Sequence, residues 1–134
     1  MVWRYNQQSG QLFHDNQSVG TGYYSGSNAG RGRNNGALEA QGNVGPIPRG
    51  RYLIGPAYDN SGSTGPNTMN LTPVGHNARG RTLFRIHGNN KKDDASEGCI
   101  ILPPNIRQMI ANSSDKDLEV IGSVPVQFGP FRKP

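Results

Sequence analysis

The sequence predicts one mainly β domain with long glycine-rich loops and a single short helix. Three observations support this prediction. The 134 residues are the length of one ordinary domain. The apolar residues occur in short runs separated by turn residues, which is typical of β-strands. The 19 glycines and 10 prolines show no fixed period, which favours loops over a repetitive chain.

The first half of the chain predicts three strands and a long loop. The runs VWRY and QLFHD flank NQQSG, which indicates a hairpin that turns at Ser9-Gly10. GTGYYSG is the third predicted strand. Residues 27–45 are polar and rich in glycine, so we expect a loop or flap with a short apolar piece at 37–40.

The second half predicts further strands. The proline-punctuated turn GPIPRG leads into a strand at 51–54, and residues 57–67 read as another turn-rich stretch. TMNLTP and RTLFRIHG are the next predicted strands. In the second of these, the alternation of a strand places Leu83, Arg85 and His87 on one face.

One segment, LPPNIRQMIANSS, predicts a helix. Two prolines suit a helix start, and Ile106, Met109 and Ile110 repeat at helical spacing as one apolar stripe that we expect to face the core. DLEVIGSVPVQF then returns to β structure, and the tail GPFRKP is expected to fray. The chain shows no internal repeat and no domain boundary, so residues 1–134 are expected to form one domain.

The charge balance is basic, with 14 Lys and Arg against 9 Asp and Glu. A basic surface favours an anionic partner such as a cell-wall polymer. Nucleic-acid binding is not expected, because the basic residues are scattered and no nucleic-acid-binding motif is present. The N-terminal residues lack the apolar stretch of a signal peptide, and no run approaches membrane-spanning length, so we expect no membrane insertion.

The segment RIHGNNKKDDASEGCIIL contains Cys99, the single cysteine of the chain, and His87. Three interpretations are open for this cysteine: a small buried side chain, a metal ligand or a nucleophile with His87 as its base. A metal site would require His14 and His76 as further ligands, and their spacing does not favour one. We therefore expect no metal and no cofactor.

The nucleophile interpretation makes a structural prediction. A strand, a polar loop and a returning strand would bring His87 and Cys99 together. Gly98 would let a substrate approach the backbone closely. The N–H groups of Gly98 and Cys99 would then face a developing oxyanion, an interaction often worth about 3 kcal/mol per donor.

The motifs in this segment resemble those of the L,D-transpeptidase catalytic domain. That family has His-Gly, a loop and then Ser-His-Gly-Cys-Ile-Arg-Leu or a near variant. The matching positions here are His87, Gly88, Ser96, Gly98, Cys99, Ile100 and Leu102. GPIPRGRYLIG is also similar to the proline- and glycine-containing strand that precedes the motif in the family, and together the matches cover about residues 44–110.

The N-terminal half narrows the resemblance. VWRYNQQSGQLF, GTGYYSG and GPIPRGRY are similar to a compact subgroup without a signal peptide. That subgroup includes type VI secretion effectors, which are toxins injected into the periplasm of rival bacteria. The resemblance implies an L,D-transpeptidase-like β-sandwich, synthesis in the cytoplasm, and delivery by a secretion machine.

The resemblance also implies an activity. His87 takes the Cys99 proton, and the thiolate attacks the peptide carbonyl of a peptidoglycan stem. D-Ala leaves, and water or an amine resolves the thioester, which gives L,D-carboxypeptidase or transpeptidase activity. Ser96 is expected to support the site by hydrogen bonds. The partners implied are peptidoglycan stem peptides, a cognate immunity protein and a component of the secretion machinery.

The remaining site predictions concern substrate contact. Tyr24 and Ser25 are expected to line the groove, and Gly88 is carried over from the His-Gly motif. Glu97 replaces the histidine that usually precedes Gly-Cys and is expected to lie beside the substrate. Ile101 replaces the arginine that usually follows Cys-Ile, which puts the family's substrate geometry in question.

Two other functions compatible with this fold stay open. One is a housekeeping L,D-transpeptidase that builds cross-links, which usually carries a signal or anchor. The other is a cell-wall-binding module that keeps the fold without the chemistry, for which Glu97 and Ile101 are the main support.

Overall fold

The computed structural model describes residues 2–27, 31–60, 65–89, 96 and 98–122. Within these ranges the chain forms ten strands and one α-helix. No helix in the described part of the chain is long and apolar enough to cross a membrane.

The elements follow the predicted order closely. The strands are β1 (Trp3–Asn6), β2 (Gln11–His14), β3 (Gln17–Thr21), β4 (Tyr24–Ser25), β5 (Gly50–Ile54), β6 (Tyr58–Asn60), β7 (Gly65–Val74), β8 (Phe84–His87), β9 (Ile100–Ile101) and β10 (Asp117–Ile121). The helix α1 spans Pro104–Asn112, and two short 3-10 turns cover Gly36–Leu38 and Ala78–Gly80.

Nine of the strands form one hydrogen-bonded path in the order β3-β2-β1-β10-β5-β7-β8-β9-β4, and β6 pairs with β7 beside that path. The mainly β prediction is confirmed. The predicted sandwich is built from one curled sheet, in which strands distant in sequence become neighbours. The β1 strand, for example, pairs in parallel with β10 near the other end of the described chain.

The β1–β2 hairpin forms where the sequence predicts it. The Asn6 side chain accepts hydrogen bonds from the N–H groups of Gln8 and Ser9, and the Gly10 N–H donates to the Asn6 carbonyl at 2.9 Å. Gly10 has a φ of +76°, a left-handed conformation that glycine adopts at little cost. The turn is therefore held by local chemistry.

A continuous apolar core fills the inside of the curled sheet. Its largest fully buried side chains include Trp3, Tyr5, Leu12, Ile47, Tyr52, Met69, Ile86, Ile100, Leu102 and Ile110. Burying a large apolar side chain of this kind contributes about 1.5–3 kcal/mol to folding. The two strands that lead to the candidate site, β8 and β9, contribute Ile86 and Ile100 to this core as a directly paired couple.

Three local predictions are corrected by the structure. The stretch at 57–67 contains the strand β6, because Tyr58 pairs with Thr68 of β7. The segment GTGYYSG is divided between β3 and β4, which lie at opposite edges of the sheet. The β9 strand does not return antiparallel to β8 but runs parallel to it. The connection between them is therefore a crossover, which parallel neighbours require.

The helix α1 begins as predicted, and its predicted apolar stripe is buried at two of three positions. Pro103 is its N-cap and Pro104 its first residue, where a missing N–H has no cost. Ile106 and Ile110 are buried, whereas Met109 is 48% exposed and Arg107 is buried in its place. The C-terminal strand ends at Ile121, and residues 123–134, including the predicted fraying tail, lie outside the described residues.

Candidate active site

His87 ends β8 and is 4% exposed. Its Nδ1 lies 2.8 Å from the carbonyl oxygen of Gly88. A carbonyl can only accept a hydrogen bond, so Nδ1 carries the proton in the neutral ring. The Nε2 atom is then the basic nitrogen, and the backbone itself sets the tautomer that a general base requires.

The surroundings of His87 keep its imidazole neutral. Burial lowers the pKa of His87 from its ordinary value of 6.5, and the positive charges of Arg85 and Arg107 lower it further. The hydrogen bond to Gly88 acts in the opposite direction and is outweighed. A neutral imidazole near pH 7 can accept a proton, so the electrostatics suit a base.

Cys99 immediately precedes β9 and is half-buried. In the parallel β8–β9 pair, Ile86 lies opposite Ile100 and His87 opposite Ile101. Extending this register back by one residue places Cys99 opposite Arg85. Because side chains alternate along a strand, we infer that Cys99 and His87 project from the same face. The Cys99 Sγ lies 3.8 Å from the carbonyl oxygen of Leu83.

The turn that presents Cys99 is held by Ser96. The Ser96 Oγ donates to the Cys99 carbonyl at 2.6 Å and accepts from the N–H groups of Gly98 at 3.1 Å and Gly26 at 2.9 Å. Ser96 is 2% exposed. The support that the sequence predicts from this serine is present as three hydrogen bonds, and a direct catalytic role for it stays a prediction.

Ser25 is a second clamp on the same turn. Its Oγ donates to the Gly98 carbonyl at 3.0 Å and accepts from the Ile47 N–H at 3.0 Å. The Ser25 side chain is fully buried. In this structure the residue ties the cysteine turn to the loop before β5, so its position differs from the groove-lining position predicted from the sequence.

The structure places Gly98 differently from its predicted role. Its N–H donates to the Ser96 Oγ instead of pointing to a substrate oxygen. A Cβ at position 98 would lie 2.6 Å from the Arg81 Nη2 and 3.0 Å from the Phe84 ring, and φ is +142°. The positive φ and these two close neighbours thus favour glycine at position 98. Of the two predicted oxyanion donors, only the Cys99 N–H is left for that role as a prediction.

Gly88 directly follows His87, and Tyr24 lies on β4, the neighbour of β9. Tyr24 is 2% exposed, donates its hydroxyl to the Asn89 Oδ1 at 2.6 Å, and carries the Arg33 guanidinium 3.7 Å from its ring centre. A Cβ on Gly88 would approach the Arg107 Nη2 to 2.9 Å. Tyr24 is therefore mostly covered, and substrate contact by either residue stays a prediction.

The comparisons with known proteins bear directly on this arrangement. A family model, the Tlde1 domain, matches residues 20–123, which is most of the chain and includes His87, Ser96 and Cys99. The chain belongs to the Tlde1 domain family. Comparison with curated proteins gives no match.

A solved structure supports the fold of this Tlde1 domain. It is similar to the crystal structure of an L,D-transpeptidase from Xylanimonas cellulosilytica, with a TM-score of 0.50 and 17% sequence identity. The match covers 89% of this chain and 59% of that chain, so this chain spans about three fifths of the length of the relative. The predicted L,D-transpeptidase-like fold is thereby confirmed.

The two departures from the family motif are placed differently. Ile101 is fully buried in β9 and pairs with Tyr24 of β4 and His87 of β8. An arginine at position 101 of this chain would need a buried partner for its charge. Glu97 lies outside the described residues, so its predicted contact with substrate stays a prediction.

The other two histidines of the Tlde1 domain are engaged elsewhere. The His76 Nε2 lies 2.9 Å from the Arg51 carbonyl and its Nδ1 accepts from the Ala78 N–H. The His14 Nε2 lies 2.6 Å from the Asp115 Oδ2. His14, Asp115 and Asp15 offer ligand atoms within 4.8 Å of one another, which is a spacing that could hold a metal ion. His14 and Asp115 are hydrogen-bonded to each other. We assign these three residues no role in the candidate site around Cys99.

Sequence reasoning missed a charged network beside the site. Glu39 is 5% exposed, and its carboxylate accepts hydrogen bonds from Arg49, Arg79 and Gln7. Burial by itself raises the pKa of Glu39, but these hydrogen bonds, mainly from Arg49, outweigh it and lower the pKa to about 2. Glu39, Arg49 and Arg79 line a cleft of about 560 Å³, together with Pro48, Gly50, His76 and Asn77.

A sequence signal for this network exists. Glu39 is the single carboxylate between Asp15 and Asp59, in a stretch that contains four arginines. An isolated acid among arginines in a glycine-rich loop is a candidate for a buried ion pair. The network matters for the site because the Glu39 backbone carbonyl also accepts a hydrogen bond from Arg81, at 2.6 Å.

Proposed function

We propose that this Tlde1 domain is a cysteine-dependent L,D-carboxypeptidase or transpeptidase that acts on peptidoglycan stem peptides. The observation that carries the proposal is the pairing of β8 with β9. That pairing directs His87 and Cys99 to one face, with the His87 Nδ1 held by a backbone carbonyl so that Nε2 is the base.

The proposed reaction has two steps. The Cys99 thiol transfers its proton to the His87 Nε2, and the sulfur attacks the carbonyl carbon at the L-centre of the stem diamino acid. The tetrahedral intermediate expels D-Ala, whose amine takes the proton from His87, and a thioester to Cys99 is left. Water then releases the acid, or a D-amino acid amine forms a new amide, and Cys99 regains its proton in either case.

The proposal extends to the biological role. The family match and the resemblance of the N-terminal half support an antibacterial effector delivered by type VI secretion. Its substrate lies in the periplasm of the target cell, and the partners would be a cognate immunity protein in the producing cell and a component of the secretion machinery. The basic balance of the chain is compatible with an anionic cell-wall substrate.

A second function is favoured by one specific observation. The Gly98 N–H, a predicted oxyanion donor, is bound to the Ser96 Oγ. A protein that has lost one such donor loses about 10²–10³ in turnover. This favours a peptidoglycan-binding module on the same fold as the competing function.

Mass spectrometry of muropeptides separates the two functions. Tetrapeptide muropeptides are incubated with the protein, with and without an isotopically labelled D-amino acid. Loss of D-Ala supports the carboxypeptidase, incorporation of label supports transfer, and a thioester adduct on the intact protein supports both. Cys99→Ala should lower the rate at least about 10³-fold. Binding to peptidoglycan without any change in mass would favour the binding module.

Toxicity tests the effector role separately. The protein is expressed in a bacterium with an added export signal, and growth is compared with that of cells expressing the Cys99→Ala variant at equal level. We expect growth arrest only with the unchanged protein. Equal toxicity of the two would contradict a role for Cys99 chemistry in killing.

A further inference from the structure

Arg81 lies between the 3-10 turn Ala78–Gly80 and β8, and its guanidinium is anchored to backbone. Nη1 donates to the carbonyl oxygens of Glu39 at 2.6 Å and Pro46 at 2.8 Å, and Nη2 donates to that of Gly45 at 3.0 Å. These three carbonyl oxygens hold the guanidinium in a defined position. An arginine side chain is protonated at neutral pH, so this position carries a positive charge.

This cation is directed at the cysteine turn. A Cβ on Gly98 would lie 2.6 Å from the Arg81 Nη2, so the guanidinium occupies the space beside Gly98. It also lies over the Phe84 ring, 5.2 Å from its centre. Cys99 follows Gly98, and its Sγ faces the carbonyl of Leu83, two residues after Arg81. Two independent contacts thus place the 81–84 segment against the Gly98-Cys99 turn.

The backbone near the cysteine has an unusual conformation. Leu83 adopts a φ of +66°, a left-handed conformation that is uncommon for residues other than glycine. Its side chain is 84% exposed. A residue held in this region costs on the order of 1 kcal/mol or more and persists where the surroundings impose it. Here the conformation of Leu83 allows its carbonyl to meet Sγ while Arg81 stays bound to the 39–46 segment.

The charged groups around Cys99 come from several elements. Arg81 precedes β8, Arg85 and His87 lie on β8, and Arg107 of α1 acts on His87. Burial lowers the pKa of Arg81, while Tyr52, Cys99 and Glu39 each raise it. Because electrostatic coupling is reciprocal, a cation stabilised by a thiolate also stabilises that thiolate. Glu97 lies outside the described residues.

We propose that Arg81 is a positioning residue for Cys99, whose fixed guanidinium favours the thiolate while it anchors the Gly98-Cys99 turn to the 39–46 segment. The proposal deepens the proposed function and rests on it for its catalytic meaning. The proposal also assigns a role to a positive charge that reaches the site from the segment before β8. Position 101, in β9, is instead a buried apolar residue.

The test measures the rate of Cys99 alkylation by iodoacetamide as a function of pH. Arg81→Gln removes the charge and keeps a hydrogen-bond donor, whereas Arg81→Lys keeps the charge with fewer donors. The expected midpoint of the profile rises by about one pH unit in Arg81→Gln and stays within about 0.3 unit of the parent in Arg81→Lys. Muropeptide turnover should fall about tenfold in Arg81→Gln.

Arg79→Met is the matched control. Arg79 lies two residues away, is bound to the same Glu39 through its carboxylate, and is 58% exposed. Its loss removes one positive charge from the same segment, and we expect the midpoint to stay within about 0.3 unit. Thermal unfolding of each variant identifies those that are folded at the temperature of the assay.

The outcomes separate the inference from the proposed function. An unchanged midpoint in folded Arg81→Gln, or an equal shift in Arg79→Met, would overturn the role of Arg81. If Arg81→Gln does not fold, the Arg81→Lys variant decides. A midpoint of Cys99 alkylation raised by one pH unit in Arg81→Lys overturns the role of Arg81, and a midpoint near that of the parent protein supports it. A shift in Arg81→Gln without any muropeptide processing by the parent protein contradicts the peptidase and leaves the electrostatic role standing.

Discussion

The two ends of the curled sheet each carry a histidine, and they surround it in different ways. At the β1–β2 end, the His14 ring stacks on Trp3 with ring centres 4.0 Å apart, and its Nε2 bonds the Asp115 carboxylate. At the β8–β9 end, the His87 Nδ1 bonds its neighbouring backbone carbonyl, and Arg85 and Arg107 lie close by.

The two histidines differ in which ring nitrogen is bonded and in the group that it contacts. A carboxylate partner at Nε2 uses the nitrogen that would otherwise act as a base, and it connects β2 to the segment before β10. A backbone carbonyl at Nδ1 orients the ring and leaves the chemistry to Nε2. The positive neighbours of His87 favour its neutral ring. The surroundings of His87 therefore suit the proton transfer that we propose for it, whereas the Nε2 of His14 is already bonded to Asp115.

The largest expected effect separates the two histidines directly. His87→Gln should lower muropeptide turnover at least about 10³-fold, because the general base is lost. His14→Gln should keep turnover within about twofold and lower the free energy of unfolding by about 1 kcal/mol, because a hydrogen bond to the Asp115 carboxylate and a ring stack are weakened. Turnover assays and urea unfolding of both variants measure these changes. Equal loss of turnover in the two variants would remove the distinction.

The next effect concerns the serines that hold each end. Ser96→Ala leaves the buried N–H groups of Gly26 and Gly98 without the Ser96 oxygen, and should lower the free energy of unfolding by about 2–3 kcal/mol. Turnover should fall about tenfold as the Cys99 turn loosens. Ser113→Ala removes a hydrogen bond from the Asp115 N–H at the His14 end. This variant should lower the free energy of unfolding by less than about 1 kcal/mol and leave turnover unchanged.

Urea unfolding and turnover assays compare the two serine variants. A Ser96→Ala protein as stable and as active as the parent would show that the turn around Cys99 does not depend on this clamp. A turnover loss in Ser113→Ala would show that the two ends are coupled.

The smallest effect is a change in the pH profile. Burial and the charges of Arg85 and Arg107 lower the pKa of His87, so the base stays neutral, and active, to a pH below its ordinary value of 6.5. Arg107→Met removes one of these charges, raises the pKa of His87, and should move the acid limb of kcat/KM upward by about 0.5 pH unit. Activity below pH 6 would then fall more than activity at pH 8.

Two controls accompany this profile. Arg107→Lys keeps the charge and should keep the acid limb in place. Arg4→Met removes an arginine bound to Glu119 toward the His14 end and should not move it. A downward shift of the acid limb in Arg107→Met would contradict the electrostatic account of His87.

Much of the fold could be predicted because it depends on local chemistry. The Ser9-Gly10 turn is held by Asn6 within the same hairpin. The start of α1 depends on Pro103 and Pro104, whose fixed backbone suits a first turn. The choice of Cys99 and His87 as candidate nucleophile and base followed from the resemblance of their segment to the L,D-transpeptidase motif, and their catalytic roles stay predictions.

The contacts that complete the site could not be predicted in the same way. Ser25 and Gly98 are 73 residues apart in sequence, and Arg81 and Glu39 are 42 apart. Such pairs form only when distant segments meet in the folded protein, and the pattern of apolar residues along the chain does not predict them. The burial of Arg107 on α1 was missed for a similar reason. Arg107 is buried because its donors find the carbonyls of Leu102 and Pro66.

By itself, the sequence determined the mainly β class, the hairpin, the helix start and the residue types at the candidate site, because each follows from turn chemistry or from alternation along a strand. Only the tertiary structure decided that β9 runs parallel to β8, that the Gly98 N–H donates to the Ser96 Oγ, and that Arg81 lies against the Gly98-Cys99 turn. These features depend on which distant segments pack together. Packing is decided by the burial of the whole core, which no short stretch of sequence encodes.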